Sequence, residues 1–302
     1  GPKGQRHCPG DPIGGGGEDG AQGEGLVLDV PSSARGKSAY DVAHEATMEA
    51  GRLLVRGYGE QKQISFKGRG NVVTNLDLEV EARVIDLLLQ EYPDFGILSE
   101  EREAIPGKGE YTWILDPLDG SRNFASGNPF FSVNLGLVRG KEVVLGLTYD
   151  PLREELFHAI KGQGAFLNES PLSISKQDSV QASVLALDMG YSEELARKAC
   201  EMLIFLWPGM QSTRIMGSAA LGLAYAATGR VDLYFHHFLA PWDLVSGILL
   251  VQEAGGVITQ GNGGPVSPWS RSVIASNKAI HADFLRRTEG CEWRKAVSEE
   301  EA

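Results

Sequence analysis

The stretch W-I-L-D-P-L-D-G-S-R-N-F, residues 113–124, decides the fold and points to a site. Three bulky apolar residues predict a buried strand, and Asp116, Pro117 and Asp119 follow it in a tight turn. Two carboxylates 4 Å apart repel each other by about 1 kcal/mol or more even at high dielectric. The turn therefore predicts a positively charged ligand between Asp116 and Asp119.

A divalent metal ion is the candidate ligand of this turn. Mg²⁺ prefers oxygen ligands in near-octahedral geometry, shared among carboxylates, backbone carbonyls, water and substrate phosphate. Because Pro117 fixes one backbone angle, the Leu118 carbonyl can face the same side as the two flanking carboxylates. Glu100, at the end of a predicted short strand, and Asp243, at the start of a predicted helix, are further candidate ligands.

Each acidic position also has an ordinary structural explanation when it is taken alone. The D-P-L-D-G segment is compatible with a simple turn, and the pair Glu100 and Glu101 with a solvated surface of an acidic chain. Asp243 is compatible with a helix N-cap whose carboxylate accepts from first-turn amides. The order and spacing of the whole set favour the metal site over these alternatives without excluding them.

Composition limits the classes of function. The chain has 302 residues, 42% of them hydrophobic, which is enough for one large core or two coupled lobes. No apolar run approaches the roughly 20 residues of a membrane helix. A net charge of −12 without a basic stripe disfavours nucleic-acid binding. A phosphorylated substrate then requires metal ions to supply the positive charge.

The three cysteines are widely scattered. Cys8, Cys200 and Cys291 fit neither a disulfide framework nor a zinc site. A reducing compartment is the simpler interpretation, and we expect a cytoplasmic protein.

Helical and strand patterns are mixed along the chain. The helices are predicted at 39–57, 76–92, 192–206, 218–228 and 244–254. The strands are predicted at 97–99, 111–115, 184, 231–235 and 273–275, with a hairpin from 131–137 to 143–149. This mixture predicts an α/β (α+β mixed) fold in which sheets are layered with helices.

The chain is predicted to hold one folded domain between two tails. Ten of the first 25 residues are Gly, so residues 1–37 are expected to form a flexible tail. The domain is predicted to span 38–290, with an N-terminal lobe at about 38–182 and a C-terminal lobe at about 183–290. Residues 291–302 are expected to form a second tail.

Five motifs in order resemble the inositol monophosphatase family of metal-dependent phosphatases. They are N-V-V-T-N-L-D at 71–77, L-S-E-E at 98–101, the opening stretch at 113–124, G-S-A at 217–219, and W-D-L-V-S-G-I-L-L-V-Q-E-A-G-G at 242–256. The resemblance covers about 38–285. It implies a layered αβαβα sandwich of the inositol monophosphatase and fructose bisphosphatase type. It also implies a lithium-sensitive, Mg²⁺-dependent phosphomonoesterase that is usually a homodimer.

The resemblance also implies roles for individual residues. The ligands of two or three Mg²⁺ ions would be Glu100, Asp116, the Leu118 carbonyl, Asp119 and Asp243. Asp77 and Ser121 would orient and deprotonate the attacking water, with Glu100 beside them in the catalytic set. Ser121 stands where many members have threonine, and it keeps the hydroxyl. The substrate would contact Asp119, Gly120, Ser121, Gly217, Ser218, Ala219, His236 and Asp243.

His236 departs from the family pattern. It lies seven residues before Asp243, where relatives have an acidic side chain that contacts the alcohol. An imidazole there is expected to be charged below about pH 6.5 and to favour substrates with a second anionic group. Neighbouring His237 is expected to point to the opposite side of the strand.

Two classes of function follow from the resemblance. The first is a phosphatase of small phosphorylated alcohols, with inositol monophosphate as the expected substrate. Fructose 1,6-bisphosphate, histidinol phosphate and nucleotide 3'-phosphates are the alternative substrates. The second class is a regulatory binding protein on the same fold, because a fold does not determine a function.

Overall fold

The computed structural model describes residues 30–59, 64–66 and 72–295. Its first outer layer contains two packed helices, α1 (Ala39–Tyr58) and α2 (Asn75–Glu91). Between them in sequence lies a short antiparallel pair, β1 (Ile64–Phe66) and β2 (Val72–Thr74). The predicted motif at 71–77 falls partly outside the described residues, which begin again at Val72.

A seven-stranded sheet forms the second layer. Its strands are β3 (Gly96–Ser99), β4 (Tyr111–Asp119), β5 (Ser132–Arg139), β6 (Glu142–Asp150), β7 (Glu155–Ile160), β8 (Ala165–Leu167) and β9 (Ser170–Pro171). They lie side by side in chain order, and β3 pairs with β4 in parallel, while the later pairs are antiparallel. The helix α3 (Ser121–Ser126) follows β4 directly.

A five-stranded mixed sheet forms the fourth layer. Its strands are β10 (Val184–Leu187), β11 (Ser212–Ile215), β12 (Leu233–His236), β13 (Val257–Thr259) and β14 (Val273–Ser276). The spatial order is β11-β10-β12-β14-β13, with β10 parallel to both of its neighbours. The third layer, α5 (Ala219–Ala227) and α6 (Pro241–Glu253), lies between the sheets, and α4 (Glu193–Leu206) and α7 (Lys278–Arg287) cover the outer face.

The five layers confirm the predicted αβαβα sandwich. One apolar cluster joins α1 and α2 to the first sheet, and a second joins both sheets to α5 and α6. A third cluster packs α4 and α7 on the second sheet. Because the second cluster takes residues from both sheets, the layers form one continuous body.

Glycine lets α6 lie very close to the first sheet. A Cβ atom at Gly136 of β5 would lie 2.3 Å from a methyl carbon of Val245. One at Gly146 of β6 would lie 2.7 Å from the Ser246 Cα atom. Both distances are shorter than real Cβ contacts, so these strands accept only glycine against the start of α6.

The structure corrects the predicted end of strand β4. The strand continues past Leu115 to Asp119, with a register shift between Asp116 and Asp119 in its pairing with β5. Such an irregularity bends a strand and re-aims its side chains. The predicted tight turn is therefore the bulged end of a strand.

The folded part extends beyond both predicted domain boundaries. The Ser33 hydroxyl donates to Glu91 at 2.9 Å, and the Tyr92 hydroxyl donates to the Pro31 carbonyl at 2.8 Å. At the other end, Trp293 is 1% exposed, and its ring centroid lies 5.0 Å from that of Phe235. The remaining parts of the predicted tails, 1–29 and 296–302, lie outside the described residues. The division into two lobes at 182 and 183 stays a prediction.

Within the described ranges, no helix combines the length and the apolar character that crossing a bilayer requires.

Candidate active site

The bulged end of β4 and the first turn of α6 bring three carboxylates together. Asp116 and Asp119 are 2% and 6% exposed, and Asp243 is half-buried at the start of α6. Ligand oxygens of these three side chains lie within 4.8 Å of one another. Strand β4 places two of them because its register shift aims both carboxylates to one side.

Hydrogen bonds of polar side chains hold the start of α6 against the first sheet. The Asn134 side chain on β5 donates to the Trp242 carbonyl, and its oxygen accepts from the hydroxyls of Thr148 and Ser246. Asp243 itself accepts from the Ala240 amide N–H at 2.7 Å. Asp243 therefore lies inside the first turn of α6 and accepts from the N-cap residue. It is not the N-cap itself.

The described residues balance the negative charge of Asp116, Asp119 and Asp243 only in part. Burial, and then the charges of Glu100, Asp119 and Asp243, raise the pKa of Asp116 well above its usual range. Burial and the charge of Asp119 raise the pKa of Asp243 to about 7. Among the described residues, no Lys or Arg forms an ion pair with Asp116, Asp119 or Asp243. An all-oxygen donor set with unbalanced negative charge fits a hard divalent cation such as Mg²⁺.

Asp119 differs from its neighbours because it accepts hydrogen bonds from α5. The backbone amides of Ala219 and Ala220 each donate to its carboxylate at 3.1 Å. The hydroxyls of Ser218 and Ser132 donate to Asp119 Oδ2. Burial raises the pKa of Asp119, and these four donors oppose that rise. The amino-terminal end of α5 thus fixes Asp119 and partly balances its charge.

The backbone between Asp116 and Ser121 is held by local hydrogen bonds. The Leu118 amide donates to Asp116 Oδ1 at 3.0 Å, and the Ser121 hydroxyl donates to the Leu118 carbonyl at 2.8 Å. Gly120 has a φ of 88°, and a Cβ atom there would lie 3.1 Å from the carbonyl oxygen of Gly217. Glycine is therefore required where this turn passes the Gly217 loop.

Glu100 is positioned through its neighbours by a residue that sequence reasoning missed. Glu81 of α2 is 1% exposed and accepts from the Ser99 hydroxyl. It also accepts from the Glu101 amide at 3.1 Å and from the Arg102 guanidinium at 2.9 Å. These donors lie on both sides of Glu100 in sequence. Glu81 lies on the apolar face of a predicted helix, and this position could have indicated a buried, functional carboxylate.

Asp77 lies in the first turn of α2 and is 1% exposed. Strand β2, which leads into α2, contacts α3, and α3 begins at Ser121. The start of α2 therefore lies beside the helix that carries Ser121. The pairing of Asp77 with Ser121 stays a prediction.

Two cavities open beside the acidic centre and share Asp119, Gly120 and Asp243. The smaller cavity has a volume of about 260 Å³. Its lining includes Arg122, Asp188, Tyr191, His236 and the predicted wall of Gly217, Ser218 and Ala219. The larger cavity has a volume of about 460 Å³. Its lining includes Glu100, Asp116, Leu118, Ser121, Trp269 and Arg271.

His236 lines the smaller cavity, but its predicted titration is wrong. The side chain is 4% exposed, and burial, with His237 beside it, lowers the pKa of His236 to about 3. Nδ1 accepts from the Phe238 amide at 3.0 Å, so the neutral ring carries its proton on Nε2. The His237 ring packs instead on Trp293, with centroids 5.0 Å apart. His236 is therefore a neutral donor near pH 6.5, because burial disfavours its charged form.

Asp188, at the end of β10, is a second residue that sequence reasoning missed. It accepts from the Met216 amide at 2.9 Å, from the Gly217 amide, and from the Tyr234 hydroxyl at 2.9 Å. Burial raises the pKa of Asp188 to about 7. The signal was an acid directly after a predicted strand, as with Glu100. Asp188 fixes the Gly217 loop that forms one wall of the smaller cavity.

The fold and the site together define a class: a layered α/β protein whose centre gathers carboxylates suited to a divalent cation. A family model described as "Inositol monophosphatase family" matches residues 37–292. The chain belongs to the inositol monophosphatase family, as the resemblance of its motifs predicts.

Similar proteins cover most of the chain. "Nus factor SuhB" of Haemophilus influenzae is 36% identical over 255 residues, which is 83% of this chain and 96% of that protein. "Inositol-1-monophosphatase" of Mesorhizobium japonicum is 35% identical over 258 residues, or 82% and 94%. The crystal structure of "extragenic suppressor protein suhB" from Bartonella henselae has a TM-score of 0.80 at 37% identity, covering 83% of this chain and 98% of that one. "IMPase" of Thermotoga maritima has a TM-score of 0.75 at 32% identity, covering 83% and 96%.

Proposed function

We propose that this protein is a Mg²⁺-dependent phosphomonoesterase that hydrolyses a small phosphorylated alcohol, with inositol monophosphate as the expected substrate. The observation that carries the proposal is the cluster of Asp116, Asp119 and Asp243, whose oxygens lie within 4.8 Å of one another. The name "Inositol-1-monophosphatase" of a relative that is 35% identical over 258 residues supports the substrate.

The metal ligands follow from the acidic centre and the family. We assign Glu100, Asp116, the Leu118 carbonyl, Asp119 and Asp243 to hold two or three Mg²⁺ ions. All five line the larger cavity. Mg²⁺ held by these residues would polarise phosphoryl oxygens and lower the pKa of a bound water.

The other residues orient the reactants. Ser121 lines the larger cavity, and we assign it, with Asp77, to orient the attacking water and accept its proton. The backbone amides of Gly120 and Ser121 are assigned to the phosphate, as turn amides bind anions elsewhere. The alcohol then occupies the smaller cavity, against Gly217, Ser218, Ala219 and His236. Neutral His236 would donate from Nε2 to a hydroxyl of the alcohol.

Release of inorganic phosphate tests the reaction. We expect the purified protein to release phosphate from inositol 1-phosphate with Mg²⁺, and to stop when EDTA removes the metal. Fructose 1,6-bisphosphate, histidinol phosphate and a nucleotide 3'-phosphate complete the panel of alternative substrates. Equal turnover with Mg²⁺ and with EDTA would contradict the metal-dependent mechanism.

A regulatory binding protein on the same fold is the alternative function. Its support is the name "Nus factor SuhB" of a relative that is 36% identical over 255 residues. An absence of turnover on the whole panel at saturating Mg²⁺ would overturn the enzyme proposal and favour this alternative.

Three finer properties are proposed from the family. They are inhibition by lithium, a homodimer and a cytoplasmic location. Titration of phosphate release with LiCl tests the first, and light scattering of the purified protein tests the second. Fluorescence microscopy of the tagged full-length protein in its own cell tests the third.

A further inference from the structure

The smaller cavity contains one positively charged side chain among the residues that the structure describes. Arg122 lines this cavity as the second residue of α3, and its side chain is exposed. His236 lines it too, but burial keeps that ring neutral near pH 7. Within the described ranges, the Arg122 guanidinium makes no ion pair or hydrogen bond. It is therefore available to a ligand.

Most arginines that the structure describes form an ion pair, whereas Arg122 does not. With 40 acidic and 28 basic residues, carboxylate partners are abundant. Arg102, Arg153 and Arg230 form ion pairs at 2.9, 2.7 and 2.6 Å. Arg271, which lines the larger cavity, lies over the Phe238 ring at 4.8 Å from its centroid. Arg122 thus stands apart from both groups.

The next residue holds Arg122 beside the proposed alcohol site. The Asn123 side chain donates to the carbonyls of Phe130, Gly217 and Met216 at 2.8, 3.1 and 3.2 Å. These bonds tie α3 to the Gly217 wall of the smaller cavity. In an in-line displacement the leaving alcohol lies opposite the attacking water. Because Ser121 and Glu100 place the water in the larger cavity, the alcohol falls on the Arg122 side.

We propose that Arg122 binds a second anionic group, a phosphate or a carboxylate, on the alcohol part of the substrate. The inference rests on the proposed phosphatase function and names its substrate class. A guanidinium matches both anions, since its planar fork donates two parallel hydrogen bonds. Asp188 in the same cavity already accepts from three donors of the protein, so it does not occupy Arg122.

Matched substrate pairs test this specificity. Fructose 1,6-bisphosphate and fructose 1-phosphate differ only in the second phosphate. 2-Phosphoglycerate and glycerol 2-phosphate differ in a carboxylate against a hydroxymethyl group. For each pair we would measure the ratio of kcat/KM with and without the second anion, in wild type, Arg122→Gln, Arg122→Lys and Arg214→Gln. Arg214 is the matched control because it is exposed and lies outside both cavity linings.

In wild type we expect the ratio to favour at least one substrate with two anions. Arg122→Gln should lower that ratio about tenfold or more, the usual size of a lost charge-assisted hydrogen bond. Arg122→Lys should keep part of it, because the charge remains without the fork. Arg214→Gln should leave it unchanged. The pair that responds distinguishes a phosphate from a carboxylate.

Two results would overturn the inference alone. One is an unchanged ratio in Arg122→Gln while the single phosphates are still hydrolysed. The other is an equal loss in Arg214→Gln, which would indicate a general effect of net charge. Failure to hydrolyse inositol 1-phosphate as well as every substrate of either pair would instead overturn the proposed function, and the inference with it. Thermal unfolding of each variant shows whether it is folded.

Discussion

The acidic centre has two sides that balance the charge of their carboxylates in different ways. On the helix side, Asp119 accepts from two amides of α5 and two serine hydroxyls. On the open side, Asp116 accepts from the Leu118 amide and faces the charge of Glu100. The protein itself therefore supplies hydrogen-bond donors for the carboxylate on the helix side. On the open side, the described residues give Asp116 a single backbone donor, which fits the proposed cation.

Neutralising one carboxylate on each side should produce the largest effect. Asp116→Asn and Asp119→Asn should each lower kcat by at least about a hundredfold at saturating Mg²⁺, because each removes a proposed ligand. Their effects on the metal-free protein should be opposite. Asp116→Asn removes uncompensated repulsion and should raise the free energy of unfolding.

Asp119→Asn should lower that free energy by about 1 to 2 kcal/mol. Both oxygens of Asp119 accept hydrogen bonds, and asparagine offers only one acceptor, so a buried donor loses its partner. Urea unfolding in EDTA measures both variants. Effects of the same sign would show that the two sides do not differ.

Ser121→Ala tests whether the Ser121 hydroxyl, on the open side, orients the attacking water. We expect kcat to fall about a hundredfold, the size of a lost general-base contribution, while the Mg²⁺ concentration for half-maximal activity changes little. Ser126→Ala, at the other end of α3, is the matched control and should behave as wild type. A normal kcat in Ser121→Ala would remove this serine from the reaction.

Asp188→Asn should change how the free energy of unfolding depends on pH. The folded pKa of Asp188, about 7, lies above its unfolded value near 3.9, so its contribution to stability is present at low pH and lost as pH rises through about 7. The substitution removes this loss. In EDTA, Asp188→Asn should therefore gain about 2 kcal/mol relative to wild type between pH 5 and pH 8.

Urea unfolding at the two pH values measures that gain. Asp178→Asn, which changes an exposed acid, is the matched control. A constant difference between Asp188→Asn and wild type would contradict the raised pKa.

Glu81→Gln should have the smallest effect, because Glu81 acts through the neighbours of Glu100. We expect about tenfold weaker Mg²⁺ binding, as is common when a residue that orients a ligand is changed. Calorimetric titration with Mg²⁺ measures it without catalysis. Glu79→Gln, an exposed acid on the same helix, is the control. Unchanged Mg²⁺ affinity in Glu81→Gln would exclude this positioning role.

Sequence patterns predicted the elements that have one buried face. Helices α1 and α2 were predictable because their apolar residues recur at the helical period. Strand β11 was missed, since it lies at the sheet edge with half-polar residues, and its pairing with β10 decides its conformation. Helix α7 was missed although Asn277 at its N-cap, and Ile280 and Phe284 one turn apart, were a readable signal.

The residues of the site also differ in whether the sequence could predict them. Sequence motifs predicted Asp116, Asp119 and Asp243, because each of these acids lies within a short, recognisable motif. The surroundings of Glu81 and Asp188 come from segments about twenty or more residues away in the chain, so no local pattern contains them. The neutral state of His236 follows from its burial, which depends on the packing of whole layers.

The close packing of α6 has a consequence for how this sequence can vary. Gly136 and Gly146 line neither cavity, yet any side chain on them would push α6 and Asp243 away from β4. Catalysis therefore depends on two positions that carry no functional group. A loss of activity on substituting either glycine would be mistaken for a folding defect alone, although these glycines also preserve the distance between two carboxylates.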